Sequence, residues 1–341
     1  MGVLVLTKTG KIRSILVVRL SSIGDIVLTT PLLEELRRTF PRARIDYCTK
    51  APFEPLLASN PSLTSVFNPE SIPSRRYDLV VDLQNNARSR AMIQGLNAGE
   101  VRRYRKNNWK KLLLVRVKLN LYGDGYCSVV ERYRAALDGI LPSVGAPCRL
   151  VPSPADNAFA AAAIGGAQPL LSICFGANHF TKRYPAESFA AVINNLVTKV
   201  PVQVLLLGGK EDLPDEGRIM AALTETARPR VRPMAGRTTL MQSAALLAAS
   251  DLVLTNDTGL MHMASAFGRR LFVIFGSSVG DFGFLPWHTP YELFETPGLA
   301  CRPCSHIGRS SCPEGHFRCM REIPAESIAG RIVETLKQDA G

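Results

Sequence analysis

The chain predicts an α/β protein of two successive units, each a parallel sheet covered by helices, with a cleft between them. Short apolar runs alternate with helical patterns along most of its 341 residues, as repeated βαβ units require. The alternation pauses across residues 142–169, which are rich in Pro, Ala and Gly, and then restarts. The length also exceeds the ~250–300 residues at which single cores stop growing. These observations set a first unit at residues 1–150, a second at 165–325 and a closing helix at 326–341.

In the first unit, residues 12–20 (IRSILVVRL) read as a buried strand. Ser21-Ser22-Ile23-Gly24-Asp25 then turns the chain into a helix running to about Phe40. Strands follow at 45–49 and 63–67, with a short helix at 52–58 between them. A further apolar run at 77–83 (YDLVVDL) ends in the polar loop 84–89. Residues 101–121 change character. Eight basic residues and no acid lie between Glu100 and Asp124, interleaved with Trp109 and the apolar run 112–115. Such a segment could lie on an anionic membrane. It could equally be a solvated helix or the basic wall of a substrate cleft, because its apolar residues do not keep to one helical face.

The second unit opens with a strand at 170–175, a polar loop at 176–184 and a helix at 185–197. A strand at 202–207 (VQVLLL) ends in Gly208-Gly209-Lys210-Glu211-Asp212. A helix at 239–249 leads to DLVLTNDTGLMHMASAFG, residues 251–268, which reads as strand, turn and helix. The last strand expected is 271–275, before Gly276-Ser277-Ser278. In open α/β sheets, clefts form at the carboxyl ends of the strands, where these loops lie.

Composition narrows the function. No apolar run approaches the ~20 residues of a membrane span, and the N-terminal stretch is too short and polar for a signal peptide, so the cytoplasm is expected. Residues 1–150 hold 24 Lys and Arg against 12 Asp and Glu; residues 151–341 hold 17 against 17. The whole formal charge of +12 therefore belongs to the first unit, which points to an anionic partner there. The basic excess carries no recognisable nucleic-acid module, so no nucleic-acid partner is expected.

Several loops carry chemistry. In the first turn, Gly24 lets the backbone approach a ligand, and Asp25 is placed as a general base for an acceptor hydroxyl or as an acid favoured by the helix dipole. One glycine in this turn is not the G-x-G-x-x-G of a dinucleotide site. Asp257-Thr258-Gly259 is a cap sequence that leaves backbone N–H groups for an anion, with His262 one turn further on. An ordinary βα turn with a packed histidine is the alternative. Lys182 and Arg183, just before a helix, can reach a phosphate or remain solvated, and Glu211 or Asp212 can grip ribose hydroxyls. Cys301, Cys304, Cys312 and Cys319 have spacings that suit a structural zinc or iron site, with His316 a substitute ligand; free thiols or disulfides are the other readings. Cys48, Cys127, Cys148 and Cys174 are scattered and read as small buried apolar residues.

Together these loops resemble the ADP-heptose glycosyltransferases of lipopolysaccharide core synthesis, nearest the heptosyltransferase II branch. The resemblance rests on RLSSIGDIVLTTPLLEELRRTFP, DLVVDLQNNARSR, FGANHFTKRYP, the GG-x-ED turn, TNDTGLMHMASAFG and the tail CRPC…CPEGHFRCMREI, in that order. It implies a GT-B fold of two Rossmann-like domains, an inverting transfer of heptose from ADP-L-glycero-D-manno-heptose to the inner core, and no cofactor for catalysis. Asp25 then matches the general base and Lys182 the lysine that neutralises the donor phosphates. Asn178, Glu211, Asp257, Thr258, Gly259 and His262 fall to the donor, and Ser22, Gly24 and Arg88 to the acceptor. The acceptor implied is an anionic lipid A–core molecule, met by a protein peripheral on the inner face of the cytoplasmic membrane. A transferase of the same fold using another nucleotide sugar or a protein acceptor is the alternative.

Overall fold

The computed structural model describes residues 12–123, 127–141, 145–165 and 169–339. The first unit is a five-stranded sheet of β1 (Ser14–Val18), β2 (Arg44–Cys48), β3 (Ser65–Phe67), β4 (Arg76–Asp82) and β5 (Asn97–Arg103) in the order β3-β2-β1-β4-β5. Every pairing is parallel. Central β1 is apolar on both faces because helices cover both; Ile15, Leu16, Val17 and Val18 are fully buried. The second unit has six strands: β6 (Leu170–Cys174), β7 (Gln203–Leu207), β8 (Val231–Pro233), β9 (Leu252–Asn256), β10 (Arg270–Phe275) and β11 (Tyr291–Glu295). Their order is β11-β10-β9-β6-β7-β8, again all parallel.

The first helix departs from the sequence expectation. It is two helices, Ile23–Val27 and Thr30–Thr39. Thr29 Oγ1 donates to the Ile26 carbonyl at 2.7 Å and Thr30 Oγ1 to the Val27 carbonyl at 2.6 Å, while Pro31 has no N–H to give. Hydroxyls turned back on the ladder and a proline at the restart break the helix there.

Helix Pro154–Ala163 packs on helix Leu240–Ala249, and the closing helix Ala325–Asp339 packs on helix Ala186–Val197. Ile328 and Ile332 join Phe189 and Ile193 in one buried cluster. A separate cluster runs through both units, from Ile15 and Leu28 to Met261 and Val273. The segment joining the sheets also clamps them. Val129 N–H donates to the Gly283 carbonyl at 2.9 Å, and Trp287 Nε1 to the Ala146 carbonyl at 2.8 Å. Among the described residues, no helix is long and apolar enough to cross a membrane.

Candidate active site

A cleft of about 780 Å³ opens between the sheets, lined by the loops that follow β1, β6, β7 and β9. The floor is a close contact between two short helices, Ile23–Val27 of the first unit and Gly259–Ser265 of the second. Glycine permits it from both sides. A Cβ on Gly24 would lie 2.5 Å from His262 Cδ2, and one on Gly259 would lie 2.8 Å from Ile23 Cβ. Gly24 is therefore a packing requirement between the units as well as a residue of the cleft wall.

Asp25 follows in the same turn and lines the cleft. Ser22 N–H and Ser22 Oγ donate to its Oδ2 at 3.3 and 3.0 Å. Arg19 Nη2 stands 2.7 Å from Oδ1, and the Tyr133 hydroxyl donates to that oxygen at 3.0 Å. Burial pushes the Asp25 carboxyl up, but Arg19 and the Ser22 hydrogen bonds outweigh it and hold the group below the ordinary carboxylate range. Arg19 is itself anchored by donating from Nη1 to the Leu83 carbonyl at 2.8 Å, with its guanidinium 5.7 Å from the centre of the Tyr133 ring. Asp25 is thus an ionised carboxylate of fixed orientation. Sequence reasoning missed both Arg19 and Tyr133. A charged residue closing the apolar run of β1 was the available signal for Arg19; Tyr133, 108 positions away, gave none.

On the opposite wall, Lys182 Nζ lies 2.6 Å from Asp257 Oδ2, which also accepts from Ser278 Oγ at 2.6 Å. Burial would raise the Asp257 carboxyl, but Lys182 and Ser278 keep it low and ionised. Asn256 pins the turn, donating from Nδ2 to the Phe175 carbonyl at 2.6 Å and accepting from Tyr184 N–H at 3.2 Å. Thr258 is the extended residue before helix Gly259–Ser265 and makes no side-chain cap bond. His262 is 3% exposed and its Nδ1 has no partner. Burial drives it down to about 4 despite the nearby Asp257 and Asp25, so the imidazole is neutral at physiological pH.

Two acids compete after β7. Asp212 is buried, accepts from Gly209 N–H at 2.9 Å and pairs with Arg183 at 3.0 Å; burial raises its carboxyl. It is held by the protein itself. Glu211 is exposed on the cleft wall and is the carboxylate open to a ligand. Asn178 and Ser22 also line the cleft. Arg88 does not: it is exposed on helix Ala87–Gln94, 4.0 Å from Glu70.

The cysteine segment lies behind the Lys182 loop. Thr181 N–H donates to the Arg309 carbonyl at 3.2 Å, Arg309 N–H to Thr181 Oγ1 at 2.8 Å, and the Phe180 and Phe317 rings stand 4.6 Å apart. Cys301, Cys304, Cys312, Cys319 and His316 surround a small void of about 10 Å³. All four are free thiols, so the disulfide reading is not met. Among the described residues, no group of three or more Cys, His, Asp or Glu side chains stands where it could hold a metal ion, which leaves the zinc or iron expectation without structural support.

The basic segment resolves into separate roles along helix Asn108–Val117. Lys106 and Lys111 line the cleft. Trp109, Leu112 and Val117 are 56%, 57% and 62% exposed. Lys118 is exposed but engaged: its Nζ donates to the carbonyls of Val115, Cys301 and Pro303 at 3.0, 3.1 and 2.7 Å.

Residues 69–313 match the family described as glycosyltransferase family 9 (heptosyltransferase). The lipopolysaccharide heptosyltransferase 2 of Salmonella typhimurium is 28% identical over 79% of this chain and 84% of its own length. That of Escherichia coli K12 is 27% identical over 95% of this chain and 99% of its own. The solved structure of E. coli ADP-heptose lipopolysaccharide heptosyltransferase II superposes with a TM-score of 0.75, at 25% identity, over 96% of this chain and 100% of that one. The fold is accordingly GT-B, two Rossmann-like domains facing across a cleft.

Proposed function

This chain belongs to glycosyltransferase family 9, and from that premise we propose that it moves heptose from ADP-L-glycero-D-manno-heptose to the inner core of lipopolysaccharide with inversion. The names of its relatives support the sugar and the acceptor. The chemistry rests on one observation: an ionised, oriented carboxylate on one wall of the cleft faces a lysine–aspartate pair on the other.

Asp25 takes the proton from an acceptor hydroxyl as its oxygen attacks the anomeric carbon from the face opposite ADP. The new carbon–oxygen bond forms as the bond to the diphosphate breaks, and the electron pair leaves with ADP. Negative charge then develops on the departing phosphate. Lys182 and the backbone N–H groups of Thr258–Leu260 stabilise it, in a cleft where water is partly excluded. Asp257 fixes the lysine, Glu211 takes the ribose hydroxyls, and neutral His262 and Asn178 complete the donor contacts. Every group this mechanism needs is a side chain or a backbone amide, so no cofactor has a part in it.

Helix Asn108–Val117 supports contact with an anionic lipid surface, where the acceptor's lipid is held. Exposed Trp109, Leu112 and Val117 accompany Lys110 and Arg116 on it. Trp109→Ser with Leu112→Ser should weaken sedimentation with phosphatidylglycerol vesicles; unchanged binding would remove the helix from that role.

The reaction is tested with Asp25→Asn on ADP-heptose and a defined core acceptor. Transfer should fall by roughly 10²–10⁴-fold, whereas near-normal transfer would end the assignment of the base. A panel of other nucleotide sugars run beside it should give no comparable turnover; a better donor among them would displace heptose from the reading.

A further inference from the structure

We propose that Arg302 is a positioning residue for the transfer: through the Ser278 hydroxyl it fixes the place at which Asp257 holds Lys182. This role rests on the transferase reading above. It gives the cysteine-rich tail a part in that reaction, as the segment that carries the arginine.

Lys182 and Asp257 are braced by one loop, Gly276-Ser277-Ser278, which follows β10. On one side Ser278 Oγ donates to Asp257 Oδ2 at 2.6 Å, and that same oxygen lies 2.6 Å from Lys182 Nζ. On the other, Ser277 N–H donates at 3.3 Å to the carbonyl of Thr181, the residue before Lys182. The loop thus holds both partners of the pair. Ser278 is buried and is not part of the cleft lining, so its hydroxyl acts on a substrate only through the carboxylate it orients.

The tail in turn holds the loop, taking its three successive carbonyls. Arg302 Nε donates to Gly276 at 2.6 Å, Cys304 N–H to Ser277 at 3.2 Å and Arg302 Nη2 to Ser278 at 3.0 Å. Arg302 Nη1 adds a bond to the Thr296 carbonyl at 3.0 Å, and Glu295 pairs with the same guanidinium. The Arg302 side chain is 8% exposed and, like Ser278, lies outside the cleft lining. A guanidinium presents its donors in a rigid planar fork, so two bonds to one loop fix the direction of its carbonyls as well as their distance. Behind the loop there is no slack: a Cβ on Gly276 would lie 2.6 Å from Met320 Cε. Arg302 therefore sets Ser278, Ser278 orients Asp257, and Asp257 holds the ammonium group that meets the departing phosphate. A misplacement of about 1 Å at such a charge can cost on the order of 10²-fold in rate.

The test is a double-mutant cycle. Ser278→Ala, Arg302→Met and Lys182→Met are made singly, and each of the first two is combined with the third. With Lys182 present, Ser278→Ala should lower kcat roughly 10-fold and Arg302→Met by at least as much, while the acceptor KM changes little. In the Lys182→Met background neither should lower the residual rate further. Equal losses in both backgrounds would mean general damage to the fold and would overturn the proposal, as would an unchanged kcat in Ser278→Ala. Should Arg302→Met fail to fold, Arg302→Lys keeps the charge without the fork and should show the same dependence on Lys182. Calorimetric binding of ADP and of inorganic diphosphate reads the device without turnover, because both ligands carry the charge that Lys182 meets. Weaker binding in Ser278→Ala, seen only while Lys182 is present, supports the role even if heptose is the wrong sugar. Equal binding refutes it even if heptose is the right one.

Discussion

Replacing Arg19 with methionine should move the acid limb of the kcat/KM profile upward by about 1–3 pH units. In the native cleft Arg19 Nη2 lies 2.7 Å from Asp25 Oδ1, and the two side chains are only 10% and 18% exposed. At an effective dielectric of about 20, unit charges ~4 Å apart attract by about 4 kcal/mol. One pKa unit corresponds to about 1.4 kcal/mol, so loss of the cation is worth up to about 3 units, less what Ser22 and Tyr133 retain. The direction follows from the native balance. Burial raises the Asp25 carboxyl and Arg19 reverses it; without Arg19 burial prevails, and the base becomes protonated at a higher pH. Transfer should therefore fail first on the acid side, with a much smaller loss above about pH 8. A continuous assay of ADP release from about pH 5 to pH 9 measures this. Leaving a buried carboxylate unpaired also costs ~3–5 kcal/mol, so thermal unfolding is followed in parallel. Arg19→Lys keeps the charge and should restore most of the limb. A folded Arg19→Met protein with its acid limb unmoved would refute the reasoning.

Other outcomes follow from the same geometry. Lys182→Met removes the cation of Asp257 and should depress kcat by roughly 10²–10³-fold, while an unaffected rate would take Lys182 out of the mechanism. Gly24→Ala forces a methyl to within 2.5 Å of His262; overpacking should cost about 1–3 kcal/mol of stability, and the displaced floor should cut turnover on the order of 10²-fold. Native-like melting and rate would mean the contact between the units is soft. Metal analysis of protein purified without chelator decides between free thiols and a metal site at the cysteine segment. One equivalent, lost in Cys304→Ser, would restore the tetrahedral site.

The sheet centres were legible because doubly covered strands are near-continuous apolar runs, as in SILVV of β1 and LVLTN of β9. The strands missed are β5, β8 and β11, each at a sheet edge. NAGEVRR and YELFE bury little, so hydrophobic patterning has nothing to record there, and β8 spans only three residues. The break after Val27 was written in Thr29, Thr30 and Pro31, but as side-chain competition rather than periodicity. Among the site residues that the sequence put forward, Asp25, Lys182, Asp257 and His262 follow strand ends and line the cleft. Of those missed, Arg19 stands just past the end of β1, and Tyr133 acts through a partner distant in sequence. Tyr133 reaches Asp25 only because the chain between the sheets folds back over the cleft. Arg88 differs: it shares a motif with the cleft residues but is exposed beside Glu70 and is not part of the cleft lining.

The glycine contact between the two short helices also sets how the molecule can move. Gly24 is one residue from Asp25, and Gly259 is two residues from Asp257. The halves thus touch closely beside Asp25 and Asp257. A contact so placed would serve as a fulcrum: any rocking about it would sweep the outer rim through a wider arc than the groups at the pivot. The rim would then widen and close with little change in the distance between Asp25 and Asp257. Lengthening the arm at the fulcrum, as a methyl on either glycine would, shifts that distance in the closed and the open position alike.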